Sequence, residues 1–231
     1  MRLDPMPPVS AWTHTGVRAG FEVVFAEQTF RGHVLRGHTT AVEGEEAWSV
    51  GYRIEVDSHW RTRRAEIEAV TAAGALRTVL ERADLAPDTN ASAGTDAPAH
   101  VRADTAPFPD PAPSLDTNPD PAPPRWLVDG VPDPRLDGCL DVDLESSAVT
   151  NTLPVHRLGL PPGRTHQAPA AFVRAQDLGV QRIEQEYRFR ERTPGSLLLD
   201  YASATFDFAC VLTLDAAGLV LDYPGIAVRE R

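Results

Sequence analysis

The sequence predicts a mainly β protein in which one long antiparallel sheet surrounds a single short helix. Apolar and polar residues alternate in several segments, which is typical of half-buried strands because successive side chains point to opposite faces. Helical periodicity is scarce by comparison. Many strands close together in sequence favour consecutive hairpins that close into a barrel or roll.

The clearest predicted strand covers residues 50–56, where four large apolar residues alternate with small or charged ones. The apolar residues in segment 21–25 alternate less cleanly. Residues 215–218 predict a hairpin turn, because the glycine at 218 can take the positive φ that such turns need. Further strands are predicted at 139–144, 183–189, 197–201, 206–208, 212–214 and 219–223.

Two segments are candidates for the helix. Residues 66–83 are rich in alanine and carry spaced apolar residues, although a glycine interrupts them. Residues 146–158 begin with two serines that could cap a helix, and Arg157 would suit its last turn. Pro154 makes a continuous helix through this second segment awkward, because proline has no amide hydrogen to donate.

The segment 86–124 differs sharply from the rest of the chain, with ten prolines and six aspartates among its 39 residues. Burial cannot offset the entropy of ordering such a stretch, and proline removes backbone donors. We predict a disordered or polyproline-like insert there, within a single domain that covers residues 1–231.

Charge and hydropathy exclude several classes of protein. The formal net charge is -11, and all 22 basic residues are arginines without a basic cluster. Nucleic-acid binding and docking on anionic headgroups are therefore not expected, because both need a positive face. No run approaches the roughly 20 apolar residues of a membrane span. We expect a protein of the cytoplasm with no transmembrane segment.

Two pairs of carboxylates are candidates for chemistry. Asp141 and Asp143 lie two residues apart on a predicted strand and should share a face, and Glu184 and Glu186 repeat the arrangement. Paired carboxylates can serve as acid and base or can bind a hard cation. The alternative is a polar strand face with arginine partners across the sheet.

Other catalytic and cofactor motifs are missing from the sequence. The seven histidines form no zinc-binding spacing, and no nucleophile elbow, phosphate loop or dinucleotide fingerprint occurs. We therefore predict no metal, no cofactor and no catalytic residue. Cys139 and Cys210 are expected to be buried thiols, although a disulfide between them stays open at this point.

A tryptophan and several arginines form a candidate binding group. Trp60 is followed by Arg61, and Arg53 lies upstream on the predicted strand 50–56. Tryptophan and arginine together can bind sugars or anionic headgroups by stacking and by forked hydrogen bonds. The alternative is a solvated turn whose tryptophan covers the core.

Several stretches, in this order, resemble the bacterial family named "putative glycolipid-binding", which has the spiral beta-roll fold. The resemblance covers about residues 12–85 and 125–228, and its most specific block runs from Asp-Val-Asp-Leu into Thr-Asn-Thr-Leu-Pro. The stretches that carry it are 52–57, 60–63, 136–144, 149–158, 183–187 and 218–225.

The resemblance implies a long antiparallel sheet wrapped around one helix, which it places in the second candidate segment, and it implies a homodimer. It also implies a non-catalytic protein that holds a glycolipid or another apolar ligand in the concavity of the sheet. Combined with the residue patterns, it gives eight candidate ligand-binding residues. These are Arg53, Trp60, Arg61, Asp141, Asp143, Arg157, Glu184 and Tyr187.

Two other functions stay open on the sequence. One is an enzyme of unknown reaction that uses the carboxylate pairs at 141, 143, 184 and 186. The other is a protein-interaction scaffold, in which the proline-rich insert 86–124 is the ligand of another domain.

Overall fold

The computed structural model of this protein describes residues 3–83 and 125–230. The predicted insert 86–124 lies outside the described residues. Within them, the chain forms seventeen strands and one α-helix. In chain order these are β1 (Val9–His14), β2 (Ala19–Thr29), β3 (Gly32–Glu43), β4 (Glu46–Asp57), β5 (Thr62–Thr71), β6 (Gly74–Arg82), β7 (Trp126–Val128), β8 (Val131–Pro132), β9 (Asp141–Leu144), α1 (Thr152–Leu158), β10 (Thr165–Gln167), β11 (Ala170–Val173), β12 (Val180–Ile183), β13 (Gln185–Arg192), β14 (Leu197–Ser203), β15 (Phe208–Leu214), β16 (Val220–Tyr223) and β17 (Ala227–Arg229).

Fourteen of the described strands form one long antiparallel sheet. Its order is β10-β13-β14-β15-β16-β17-β1-β2-β3-β4-β5-β6-β7-β8, so that the last strand of the chain pairs with the first. Most neighbours in the sheet are also neighbours in sequence, as hairpins require. The predicted long antiparallel sheet with one short helix is confirmed, whereas its spiral-roll form stays a prediction.

A second, three-stranded sheet has the order β12-β11-β9. Here β9 runs parallel to β11, with Asp141 opposite Ala170 and Leu144 opposite Val173. All four residues of β11 are buried, as expected for a strand covered on both faces. This small sheet holds the carboxylates of β9 against the interior of the protein.

The helix lies in the second of the two candidate segments. A 3₁₀ turn over Val149–Asn151 leads into α1, and Pro154 lies in the first turn, where its missing amide hydrogen costs no intrahelical bond. Gly159 ends the helix with a φ of +57°, and Arg157 lies in the last turn, as predicted. The predicted serine cap is wrong, because no side chain caps α1 and the hydroxyl of Ser147 instead donates to Glu22.

A helix at residues 66–83 is wrong. This segment lies in β5 and β6, which are joined by a short turn before Gly74, whose φ is +128°. The two strands pair along most of their length, from Arg64 opposite Glu81 to Thr71 opposite Gly74. Tertiary pairing outweighs the helix preference of the alanines, because intrinsic propensity is a weak determinant.

The inner face of the long sheet forms the core. In β4 the alternating residues Val50, Tyr52, Ile54 and Val56 are all buried, as the sequence predicts. The neighbouring segment 21–25 faces the opposite way to its predicted alternation, since its two phenylalanines are exposed while Glu22 and Val24 are buried. One hydrophobic cluster contains side chains from both sheets and from α1, so these elements share a core.

Smaller predictions have mixed outcomes. The turn between β15 and β16 has Gly218 at a φ of +79°, as expected. The predicted strand 206–208 is interrupted, because Phe206 ends a 3₁₀ turn and β15 begins only at Phe208. Cys139 and Cys210 are free thiols rather than a disulfide, and Cys139 is buried as expected, whereas Cys210 is only partly buried. Among the described helices, none has the length and apolar character that crossing a membrane would take.

Candidate functional site

A cavity of about 320 Å³ lies between the small sheet, the start of α1 and the last strands of the long sheet. We call it the aromatic cavity, because five of its lining residues are phenylalanine or tyrosine. Its polar lining comes mostly from β9 and the loop that follows this strand. The lining residues are Arg18, Asp143, Leu144, Glu145, Ser146, Ser147, Asn151, Phe172, Tyr201, Ser203, Phe206, Phe208, Tyr223 and Ile226.

The aromatic rings of the cavity contact one another in two groups. Tyr201 lies 5.8 Å from Tyr223 and 6.3 Å from Phe208 between ring centres, and Phe172 lies 5.1 Å from Phe206. The two tyrosines are buried, whereas Phe206 is 47% exposed. Aromatic rings offer flat apolar surface, which suits both sugar faces and hydrocarbon. The cavity therefore has an apolar wall that reaches the protein surface at Phe206.

Asp143 lines the cavity, and its two carboxylate oxygens have different surroundings. Its Oδ1 accepts hydrogen bonds from the Thr150 hydroxyl at 2.5 Å and from the Leu144 amide at 2.9 Å. In the part of the chain that the structure describes, Oδ2 accepts none. Burial raises the pKa of Asp143 to about 6, and the neighbouring Asp141 carboxylate adds to the rise. Asp143 is thus a fixed acceptor that lacks a cation partner within the described residues.

Ser146 combines backbone strain with an unpaired hydroxyl. Its φ is +61°, in the left-handed region that residues other than glycine rarely occupy. Its carbonyl accepts a hydrogen bond of 2.6 Å from the Thr39 hydroxyl, which fixes the loop. The side chain is buried, and Oγ has no hydrogen-bond partner among the described residues. Both features cost stability and are typical of functional sites.

Asn151 contributes a hydrogen-bond donor. Its Oδ1 accepts a hydrogen bond of 2.8 Å from the hydroxyl of Tyr187, which orients the amide. No described residue accepts from Nδ2. Asp143, Ser146 and Asn151 therefore bring an acceptor, a hydroxyl and a donor to one cavity.

The cation in the lining is already neutralised. Arg18 donates from Nε to Glu43 at 2.8 Å and from Nη2 to Glu145 at 2.7 Å. The second oxygen of Glu145 accepts from the Ala175 amide at 2.9 Å. Arg18 thus fixes the loop after β9 rather than offering a free positive charge to a ligand.

Glu22, a residue that sequence reasoning missed, lies behind this lining. It is fully buried in β2, and it accepts hydrogen bonds from the hydroxyls of Tyr52 and Ser147 and from the Ala148 amide, at 2.6–2.8 Å. Burial raises its pKa, and these hydrogen bonds oppose the rise. Local pattern held no signal for it, because Glu22 occupies the polar position of the alternation in segment 21–25.

Of the eight predicted ligand-binding residues, Asp143 is the one that lines the aromatic cavity. Asp141 is buried, and its carboxylate accepts a bidentate pair of hydrogen bonds from Arg157. Burial raises the pKa of Asp141, and the guanidinium of Arg157 opposes the rise. Tyr187 is in the core, where it contacts two lining residues of the cavity. Its hydroxyl donates to Asn151, and its ring lies 5.1 Å from that of Tyr201 between ring centres.

The tryptophan and arginine candidates lie elsewhere and have separate surroundings. Arg53 faces outward from β4 at an open depression and pairs with Glu55. Arg61 forms an ion pair of 2.6 Å with Asp57. The Trp60 ring is stacked between two histidines beside another depression, near the start of the described chain.

The second carboxylate pair does not meet the first. Glu184 is exposed and accepts a hydrogen bond from Arg182 at 2.5 Å, and Glu186 accepts one from Gln167 at 2.7 Å. Both line a shallow cavity that neither Asp141 nor Asp143 lines. Among residues 3–83 and 125–230, no group of three histidine, cysteine, aspartate or glutamate side chains is placed to hold a metal ion.

Comparisons with known proteins agree with this fold. A family model with the description "Putative glycolipid-binding" matches residues 9–86 and 112–229. A crystal structure of a DUF1089 family protein from Pseudomonas aeruginosa is similar to this chain, with a TM-score of 0.63 and 23% sequence identity, over 100% of this chain and 96% of that one. No curated protein matches. Because the family model covers most of its length, the chain belongs to the family described as "Putative glycolipid-binding".

Proposed function

We propose that this protein binds an amphipathic ligand in the aromatic cavity, without changing it chemically. The head group of the ligand carries hydroxyls, and its apolar part lies on the phenylalanines. The observation that carries the proposal is Ser146, whose buried and unpaired hydroxyl lies in a strained loop beside an aromatic wall. The family description, which names glycolipids, agrees with such a ligand.

The polar groups of the cavity have a direct use in this proposal. A ligand hydroxyl would donate to Asp143 Oδ2, and further ligand oxygens would accept from Asn151 Nδ2 and exchange a hydrogen bond with Ser146 Oγ. Such sites are typically apolar with a few placed polar groups. Asp143 keeps the ligand-binding role that the sequence suggested for it, and Ser146 and Asn151 are added.

The first test is whether a lipid accompanies the protein and whether Phe206 is needed to hold an apolar probe. Native mass spectrometry of freshly purified protein should show bound lipid. Phe206→Ala should weaken binding of n-octyl β-D-glucoside about tenfold, because Phe206 lies on the exposed side of the cavity.

The control is Phe30→Ala, since Phe30 is 92% exposed and lies outside the cavity lining. This variant should bind the probe as the wild type does. If neither lipid nor probe binds, or if both variants weaken binding equally, the proposal is wrong.

An enzyme is the second candidate, and one observation favours it. Asp143 has a pKa raised to about 6 within a cavity, and such shifts are frequent at catalytic sites. Prolonged incubation with 4-nitrophenyl glycosides would release nitrophenolate if Asp143 acted as an acid or base, and Asp143→Asn would abolish the release. A ligand recovered intact would support binding alone.

The homodimer and the cytoplasmic location implied earlier stay predictions, as does the scaffold role of the insert. Light scattering after size exclusion would measure the mass of the particle against the 25.1 kDa chain.

A further inference from the structure

Resting on the proposed function, we infer that the aromatic cavity selects an uncharged, hydroxyl-rich head group, such as a neutral sugar. A head group that carries phosphate, sulfate or carboxylate would be rejected. The inference rests on the donors, the acceptors and the charge of the cavity, none of which the family description states.

Three polar groups of the lining residues lack a hydrogen-bond partner among the described residues, and they are of mixed type. Asp143 Oδ2 can only accept, Asn151 Nδ2 can only donate, and Ser146 Oγ can do both. A hydroxyl both donates and accepts, so a polyol can satisfy all three groups. An ionised phosphate offers acceptors only, and it would leave Asp143 facing oxygen of like charge.

The charge of the lining acts in the same direction. Apart from its two tyrosines, its ionisable residues are Arg18, Asp143 and Glu145, which sum to one negative charge when all three are ionised. Arg18 is held by Glu43 and Glu145 and is not available to an anion. Behind Ser147 lies the buried carboxyl of Glu22. Repulsion between charges is stronger in such surroundings than in water, because the local dielectric constant is low.

A cationic head group would neutralise the negative charge of the cavity, but it would leave two of its hydrogen-bonding groups without partners. Aromatic rings and a carboxylate can hold a quaternary ammonium group. That group has no acceptor for Asn151 Nδ2 and no partner for Ser146 Oγ, so both polar groups would stay unpaired and buried. The three open groups therefore favour a neutral polyol over a cation.

Three detergents with the same tail test the inference. Calorimetric titration would compare n-octyl β-D-glucoside, n-octyl phosphate and n-octyltrimethylammonium, each below its critical micelle concentration. We expect the glucoside to bind at least tenfold more tightly than the phosphate and more tightly than the ammonium compound. Asp143→Asn should reduce the preference for glucoside over phosphate at least fivefold, because it removes the repelling charge.

Asp177→Asn is the matched control, since Asp177 is exposed and outside the cavity, and it should leave the preference unchanged. The inference is wrong if the phosphate or the ammonium compound binds as tightly as the glucoside while Phe206→Ala weakens that binding. Such a result would leave the proposed site standing. If none of the three binds, or if Phe206→Ala has no effect, the proposed function fails together with the inference.

Discussion

Arg157 forms two hydrogen bonds with Asp141, from Nε to Oδ1 at 3.1 Å and from Nη2 to Oδ2 at 2.5 Å. The side chain of Asp141 is 1% exposed and that of Arg157 is 12% exposed. The pair therefore joins the last turn of α1 to β9 inside the protein. Removal of one partner from a buried pair leaves an uncompensated charge, which is the costly case for ion pairs.

The Arg157→Met variant should consequently lose about 3 to 5 kcal/mol of unfolding free energy, as measured by urea denaturation. Arg174→Met is the control, because Arg174 pairs with Asp177 at the surface with both side chains about half exposed. This control should cost less than about 1 kcal/mol. An equally small effect at Arg157 would contradict the structural role and favour the ligand-binding role that the sequence suggested.

Acid should destabilise the protein through His156. Its ring is stacked on Trp60 with centres 3.9 Å apart, and burial lowers its pKa to about 4. The unfolded chain takes up this proton near the ordinary value of 6.5, so stability is lost as the pH falls through that value. Relative to His156→Gln, the wild type should lose about 2 kcal/mol between about pH 7.5 and pH 5.

Denaturation curves at both pH values would measure this difference. His59→Gln is the control, since His59 is exposed at the protein surface. Its stability relative to the wild type should change little over the same interval. If the difference in unfolding free energy between the wild type and His156→Gln does not change with pH, the pKa of His156 is not lowered by folding.

Much of the fold was predictable, because alternation marks strands wherever one face is buried. The pattern at 50–56 predicted both the strand and its buried face. The same rule predicted a strand at 21–25 but not its orientation, since Glu22 finds three donors inside and the two phenylalanines face outward. Burial of a polar side chain depends on partners far along the chain, which local pattern does not reveal.

The candidate site was predictable only at Asp143. The two aspartates on one predicted strand indicated β9 as a candidate site, but their partners differ. Arg157 forms hydrogen bonds with Asp141, whereas Asp143 lines the cavity. Ser146 and Asn151 carry no motif. Their importance comes from an unpaired hydroxyl, an unpaired amide and a left-handed backbone, which are tertiary properties.

The ionised form of Asp143 should cost stability. Its pKa is raised to about 6 from 3.8, so the charged carboxylate destabilises the folded protein at neutral pH. This destabilisation is relieved as the pH falls below 6 and the carboxyl is protonated. The unfolding free energy of Asp143→Asn minus that of the wild type should therefore be about 2 kcal/mol higher at about pH 8 than at pH 4.5.

Asp177→Asn is the control for this pH effect, because hydrogen bonds from Arg174 lower the pKa of Asp177 instead. Its difference from the wild type should have the opposite sign and be small, since the pair is exposed. If the unfolding free energies of Asp143→Asn and the wild type depend on pH in the same way, the pKa of Asp143 is not raised by folding.

Ser146 should exchange stability for binding. Ser146→Gly removes the strain of a φ of +61° and should raise the unfolding free energy by about 1 kcal/mol, while it weakens glucoside binding by removing the hydroxyl. Ser146→Ala removes the same hydroxyl but keeps a Cβ, so it should weaken binding without the part of the stability gain that comes from relief of the backbone strain. Chemical denaturation and calorimetric titration of both variants would separate the two effects. Unchanged binding in both would mean that the strained loop shapes the fold rather than the site, since the hydroxyl is the ligand contact that both variants lack.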